Sequence, residues 1–258
     1  MKHLFSVLFI AFYLCAFHFQ AQAQVVIDRP AEFMTIDSQG NLYLVQDATL
    51  YKYASDGRLL SSYTNNMLGH ISSVDADNPL KVMLFYQDAG CILFLDDHFA
   101  PIGDQIDLFS KGLHTISLAT YSTKNNIILY DDINSELIIM DLNFNVKEKI
   151  QNNFDDFHPY QLFDVNEKMI VMQDKEQGTF FFDDFGTFEK NIVIASEFPV
   201  QIIGDIIYYL KDGQLKSYHF SQLEGNVIGN VPEGTKQALV YHNSFIFLDP
   251  KGAFILSK

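Results

Sequence analysis

Apolar positions along the chain fall in runs of four to seven residues, rich in Ile, Val, Tyr and Phe and bounded by Asn, Asp and Gly. Beyond residue 24 none of these runs sustains a 3.6-residue period, so the pattern predicts strands and turns. The strongest runs form a series: NLYLVQD, KVMLFYQD, NIILYDD, KMIVMQD, DIIYYLKD and SFIFLDP, ending in turns at Asp47, Asp88, Asp131, Asp174, Asp212 and Asp249. Successive members are 41, 43, 43, 38 and 37 residues apart. A period near 40 with several short strands per unit predicts a β-propeller.

Each unit divides into four strands, as in EFMTID, NLYLVQ, TLYKYA and LLSSYT. The last unit, QALVYH, SFIFLD and AFILSK, is one strand short, and VVIDR at residues 25–29 is one strand too many. Lending that segment to the last unit predicts an all-β, six-bladed β-propeller closed by an N-terminal strand that completes the last blade. Such a closure removes an open sheet edge. A β-sandwich built from the same strands is the competing architecture, and it would not require so regular a period.

Composition narrows the function classes. A formal charge of −15 and a pI near 4.7, with no clustered Lys or Arg, argue against a nucleic-acid partner and against an anionic membrane surface. The first 23 residues pair a basic start at Lys2 with an apolar run from Leu4 to Phe17 and an Ala21-Gln22-Ala23 site, the pattern of a cleaved signal peptide. The run is short for a membrane span, and Phe12-Tyr13-Leu14 before Cys15 is a poor lipoprotein box. The expected organisation is thus a signal peptide at 1–23, one propeller domain at 24–258 and no transmembrane span after cleavage. The expected location is exported: periplasmic, secreted or at the cell surface. Cleavage leaves 16 basic and 32 acidic residues and Cys91 as the lone cysteine, so the domain has no internal disulfide.

The turn-and-strand signature of DSQGNLYLVQDATLYKY, with degenerate copies STKNNIILYDDINSELIIMD and NEKMIVMQD, resembles bacterial NHL-repeat and related six-bladed propellers. The likeness covers most of the mature chain, and such motifs specify blades rather than activities. The absence of Trp sets it apart from WD-type repeats and from quinoprotein propellers.

Aligning the inner strands places Glu32, His70, His114 and His158 at equivalent positions in four neighbouring blades, at the mouth of the central channel. Imidazoles and a carboxylate suit a transition metal or an anionic ligand. The plain alternative is that a polar residue is tolerated where each inner strand begins. The acidic pairs Asp96-Asp97, Asp131-Asp132, Asp155-Asp156 and Asp183-Asp184 lack calcium-loop spacing and read as turn formers. No Gly-x-Ser-x-Gly, His-Glu-x-x-His or phosphate-loop motif occurs.

The leading expectation is a non-catalytic scaffold that docks another cell-envelope protein, with no cofactor; the polar turn 76-ADNPLKV-82 is a candidate contact loop. A second is a metal-dependent hydrolase resembling gluconolactonase-like propellers. That resemblance implies a glutamate at Glu32, but His114 and His158 stand where the family pattern has asparagine. A third is a binding module for a glycan or small metabolite.

Overall fold

The computed structural model describes residues 24–122, 124–165, 168–196 and 198–257; the signal-peptide segment 1–23 lies outside them. The chain forms six four-stranded antiparallel sheets arranged as the blades of a propeller. Blade one holds β2 (Phe33–Ile36), β3 (Leu42–Gln46), β4 (Thr49–Tyr53) and β5 (Leu59–Thr64). Blade two holds β6 (Ser73–Asp75), β7 (Val82–Tyr86), β8 (Cys91–Leu95) and the two-residue β9 (Ile106–Asp107). Blade three holds β10 (Ile116–Ser122), β11 (Asn126–Asp131), β12 (Glu136–Asp141) and β13 (Val146–Gln151). Blade four holds β14 (Pro159–Val165), β15 (Met169–Asp174), β16 (Gly178–Asp183) and β17 (Phe188–Ile192). Blade five holds β18 (Gln201–Ile203), β19 (Ile206–Lys211), β20 (Gln214–His219) and β21 (Glu224–Asn230). Blade six holds β22 (Gln237–Tyr241), β23 (Ser244–Asp249), β24 (Gly252–Ser257) and, as its outer strand, β1 (Gln24–Ile27). No described helix is long and apolar enough to cross a membrane.

The closing strand pairs antiparallel with β24, from Gln24 opposite Leu256 to Ile27 opposite Ala253. The same joint explains Gly252, where a Cβ would stand 2.1 Å from the carbonyl oxygen of Ile27. First and last strands of the chain thus share one blade.

The continuous apolar runs follow from this ring. Mid-blade strands such as β7 and β8 are covered on both faces, so alternate residues of β7 enter different neighbours' cores. Val82, Leu84 and Tyr86 of β7 pack with Tyr43, Val45 and Leu50 of blade one. Met83 and Phe85 between them pack with Ile127, Leu129 and Ile138 of blade three. Six such clusters, one for each pair of adjacent blades, make up the core. The one between blades three and four is aromatic, with Phe157 and Phe180 rings 4.4 Å apart.

Turns recur as well. Asp37, Asp96, Asp141 and Asp183 each accept hydrogen bonds from the backbone N–H groups two and four residues on. The residue between those donors has positive φ: Gly40, Phe99, Phe144 and Gly186. Asp131 caps its own turn through Asn134. These aspartates are therefore spent on turn geometry.

Inner strands of adjacent blades are stitched by side chains. Gln237 accepts from Met34 N–H and donates to Met34 C=O, both at 2.8 Å. Gln161 does the same to Val200, and Gln201 to Val240. Blades two to four use hydroxyls and carboxylates instead: Ser73 Oγ donates to Ala119 C=O, Thr120 Oγ1 to Asp75, and Ser122 Oγ to Asp164.

Candidate functional site

Six inner strands (β2, β6, β10, β14, β18 and β22) surround a channel of about 650 Å³. Its two ends differ in chemistry because every inner strand runs in the same sense.

At the end where these strands begin stand the four residues singled out from sequence. His70 Nδ1 lies 3.4 Å from Glu32 Oε2 and 4.0 Å from Asp47 Oδ1, and Glu32 Oε1 also accepts the Asp47 N–H at 3.1 Å. His114 stacks on Phe109, ring centroids 5.5 Å apart. At His158 it is the backbone N–H that is held, donating to Asp174 at 2.8 Å. The structure thus brings Glu32 and His70 together, while His114 and His158 have other neighbours. Among the described residues, the group of three His, Cys, Asp or Glu residues with ligand atoms within 4.8 Å of one another is Asp96, Asp97 and His98. That group sits in the loop after β8, away from the inner-strand starts, and Asp96 already caps its turn there.

Where the inner strands end, the channel is acidic. Its described charged lining residues are Asp75, Asp77 and Asp164. Asp75 Oδ2 accepts from Thr120 Oγ1 at 2.6 Å and from Tyr121 N–H at 2.9 Å, and Oδ1 accepts from Asp77 N–H at 3.2 Å. Burial nevertheless pushes the Asp75 carboxyl above the usual range, against those hydrogen bonds. Burial, then the charges of Asp75 and Asp164, push Asp77 up to about 7. Asp77 is ringed by protein yet reached by solvent along the channel, so water screens part of that effect. Sequence reasoning reached this end only through the contact loop 76-ADNPLKV-82 and not as an acidic channel mouth. The signals were an aspartate inside the apolar inner strand YQLFDV and the Asp-x-Asp closing another.

No catalytic relay is assembled by the Ser–His–Asp contact elsewhere in the molecule. Ser221 Oγ and His219 Nδ1 lie 3.2 Å apart, and both meet the same oxygen of Asp205, at 2.5 and 3.1 Å. A relay requires the serine and the carboxylate on opposite ring nitrogens.

Fold and channel together define a six-bladed β-propeller. No protein-family model matches the chain, and no curated protein does. Solved structures do: virginiamycin B lyase from Staphylococcus aureus superposes with a TM-score of 0.58 at 10% identity, over 87% of this chain and 79% of that one. The Pan2 WD40 domain of Neurospora crassa gives 0.59 at 11% identity, over 89% and 78%. PorZ of Porphyromonas gingivalis, a surface component of the type-IX secretion system, gives 0.50 at 12% identity. The match covers 90% of this chain and 33% of PorZ. These likenesses carry the fold alone, since an enzyme and a WD40 domain share it equally.

Proposed function

We propose that this protein is a non-catalytic, exported scaffold that docks another protein of the cell envelope through the face where its inner strands begin. The observation that carries the reading is a set of apolar tips on that face. In an antiparallel blade the start of the inner strand, the turn between the second and third strands, and the end of the outer strand share one face. Met67 lies between β5 and β6, Ile133 in the β11–β12 turn, and Val193 just after β17. They are 96%, 75% and 77% exposed. Three large apolar side chains on three blades, set among polar loops, suit anchors that bury on contact with a partner. The leader pattern at 1–23 supports export.

Mild-detergent co-purification tests the reading, comparing the natural protein with a Met67→Asp, Ile133→Asp, Val193→Asp variant. A stoichiometric envelope partner lost in a variant of unchanged melting temperature is the expected result. A partner retained by the variant removes this face from the account.

A further inference from the structure

Every blade has an outer strand whose far edge lacks a neighbour in its own sheet, and a bare strand edge invites pairing with another chain. Five of the six are guarded. Pairing of β5, β13, β17 and β21 with the third strand of the blade is interrupted by one extra residue, namely Leu60, Lys147, Glu189 and Ile228. Such a bulge twists the edge and breaks its row of outward N–H and C=O groups. β9 is guarded by its length of two residues. The closing strand β1 has neither device. Its four residues, QVVI, carry no charge and pair with β24 in unbroken register.

A groove of about 320 Å³ adjoins this edge. Val26, 62% exposed, its cross-strand neighbour Phe254, and Pro232 from the loop after β21 supply its apolar lining. Val25 and Ile27 on the other face of β1 belong to the core between blades six and one. Asp249 also lines the groove, but its carboxylate is held by the N–H groups of Lys251 and Gly252 at 2.7 and 3.0 Å. Asp28 and Lys251 add one charge of each sign.

We propose that the open edge of β1 and its groove receive an extended segment of another polypeptide, which adds to blade six as a fifth strand. Main-chain hydrogen bonds to the edge supply affinity, and alternate side chains of the segment supply specificity. Side chains of a strand alternate between faces, so every second residue of the guest lands on the Val26 side, in the groove. The segment that fits therefore carries apolar residues at alternate positions. A second copy of this chain is a poor occupant. Pairing β1 with β1 offers a strand of four residues, far short of the roughly 1,200 Å² that a stable interface buries. Both copies would also carry a formal charge of −15, which opposes their approach. The site lies on a different blade from Met67, Ile133 and Val193, so it is separate from the docking face.

The test selects phage-displayed random peptides on the mature protein and measures the selected peptides by fluorescence anisotropy. The comparison protein is Val26→Lys, which gives β1 the kind of guarding charge that Lys147 gives β13. Selected peptides should share apolar residues at alternate positions and bind Val26→Lys about tenfold or more weakly. N-methylation of one alternate set of peptide residues should abolish binding and of the other set leave it, because only one set turns its N–H groups to the edge. The Met67→Asp, Ile133→Asp, Val193→Asp variant should bind these peptides as the natural protein does, which keeps this site distinct from the docking face. Failure to select any peptide, peptides without alternation, or binding to Val26→Lys within about twofold of the natural protein overturns the proposal. Sedimentation covers the other occupant: a dimer of the natural protein that Val26→Lys dissolves assigns the edge to a second copy and overturns it as well. Should Val26→Lys fail to fold, the N-methylated peptides decide: loss from one set alone supports strand addition, and equal effects of both sets refute it.

Discussion

Replacing Gln237 with alanine tests how the ring is held together at its axis. The Gln237 amide makes a two-point bridge to Met34, from blade six to blade one, with both hydrogen bonds at 2.8 Å. Gln237 is 7% and Met34 2% exposed. Each hydrogen bond contributes about 1 kcal/mol net, and stranding the buried N–H and C=O of Met34 adds about 1 kcal/mol or more. The total is about 3 kcal/mol, or roughly 6–12 °C in Tm for a domain of this length. Gln161 and Gln201 make the same bridge at more exposed positions. Channel water can replace their amides, so their alanine variants should each lose only about 1 kcal/mol. Gln237→Glu keeps the acceptor and loses the donor, and at pH 8 it should cost at least as much as alanine, because a carboxylate then faces a carbonyl. Urea unfolding followed by tyrosine fluorescence measures all four. If Gln237→Ala matches Gln161→Ala, or loses under 1 kcal/mol, the bridges are not what joins the inner strands.

Three further outcomes follow from the packing and the mouth. Gly252→Ala drives a methyl group into the Ile27 carbonyl, 2.1 Å away, and should cost about 1–3 kcal/mol; limited proteolysis should then cut first near residues 24–29. Cys91 is 3% exposed and burial pushes its thiol up to about 11, so maleimide at pH 8 should label it only in denaturant. Metal analysis of natively purified protein should find no stoichiometric zinc or copper. Stoichiometric metal that disappears in His70→Ala would make the Glu32–His70 pair a metal site and displace the docking reading.

Much of the fold is legible before any coordinates, because a blade is a local object. A run such as KVMLFYQ states its own strand, its apolar residues on both faces state that neighbours flank it, and the Asp-bearing turns mark where it ends. VVIDR was identifiable as the closing strand simply because the last unit lacked one. The channel was harder to read. Glu32, His70, His114 and His158 share a register position, but strands around an axis splay apart. Only Glu32 and His70 come within 3.4 Å, aided by the Asp47 turn between them. The contacts that join blades cross large sequence distances: Asp75 to Thr120, Ser122 to Asp164, Gln237 to Met34. They depend on the height at which each blade sits along the axis, which hydropathy does not encode. The Pro-x-Gln shared by blades four and five was the one local trace of them.

A photo-crosslinking scan in native cells tests the docking proposal most directly. A photoreactive residue is placed in turn at Met67, Ile133 and Val193, and, as controls on the opposite face, at Phe185 and Leu223, which are 65% and 74% exposed. The account predicts one discrete envelope-protein adduct from the first three positions and none from the controls. The same adduct from the controls, or no adduct from Met67, Ile133 and Val193, would contradict it.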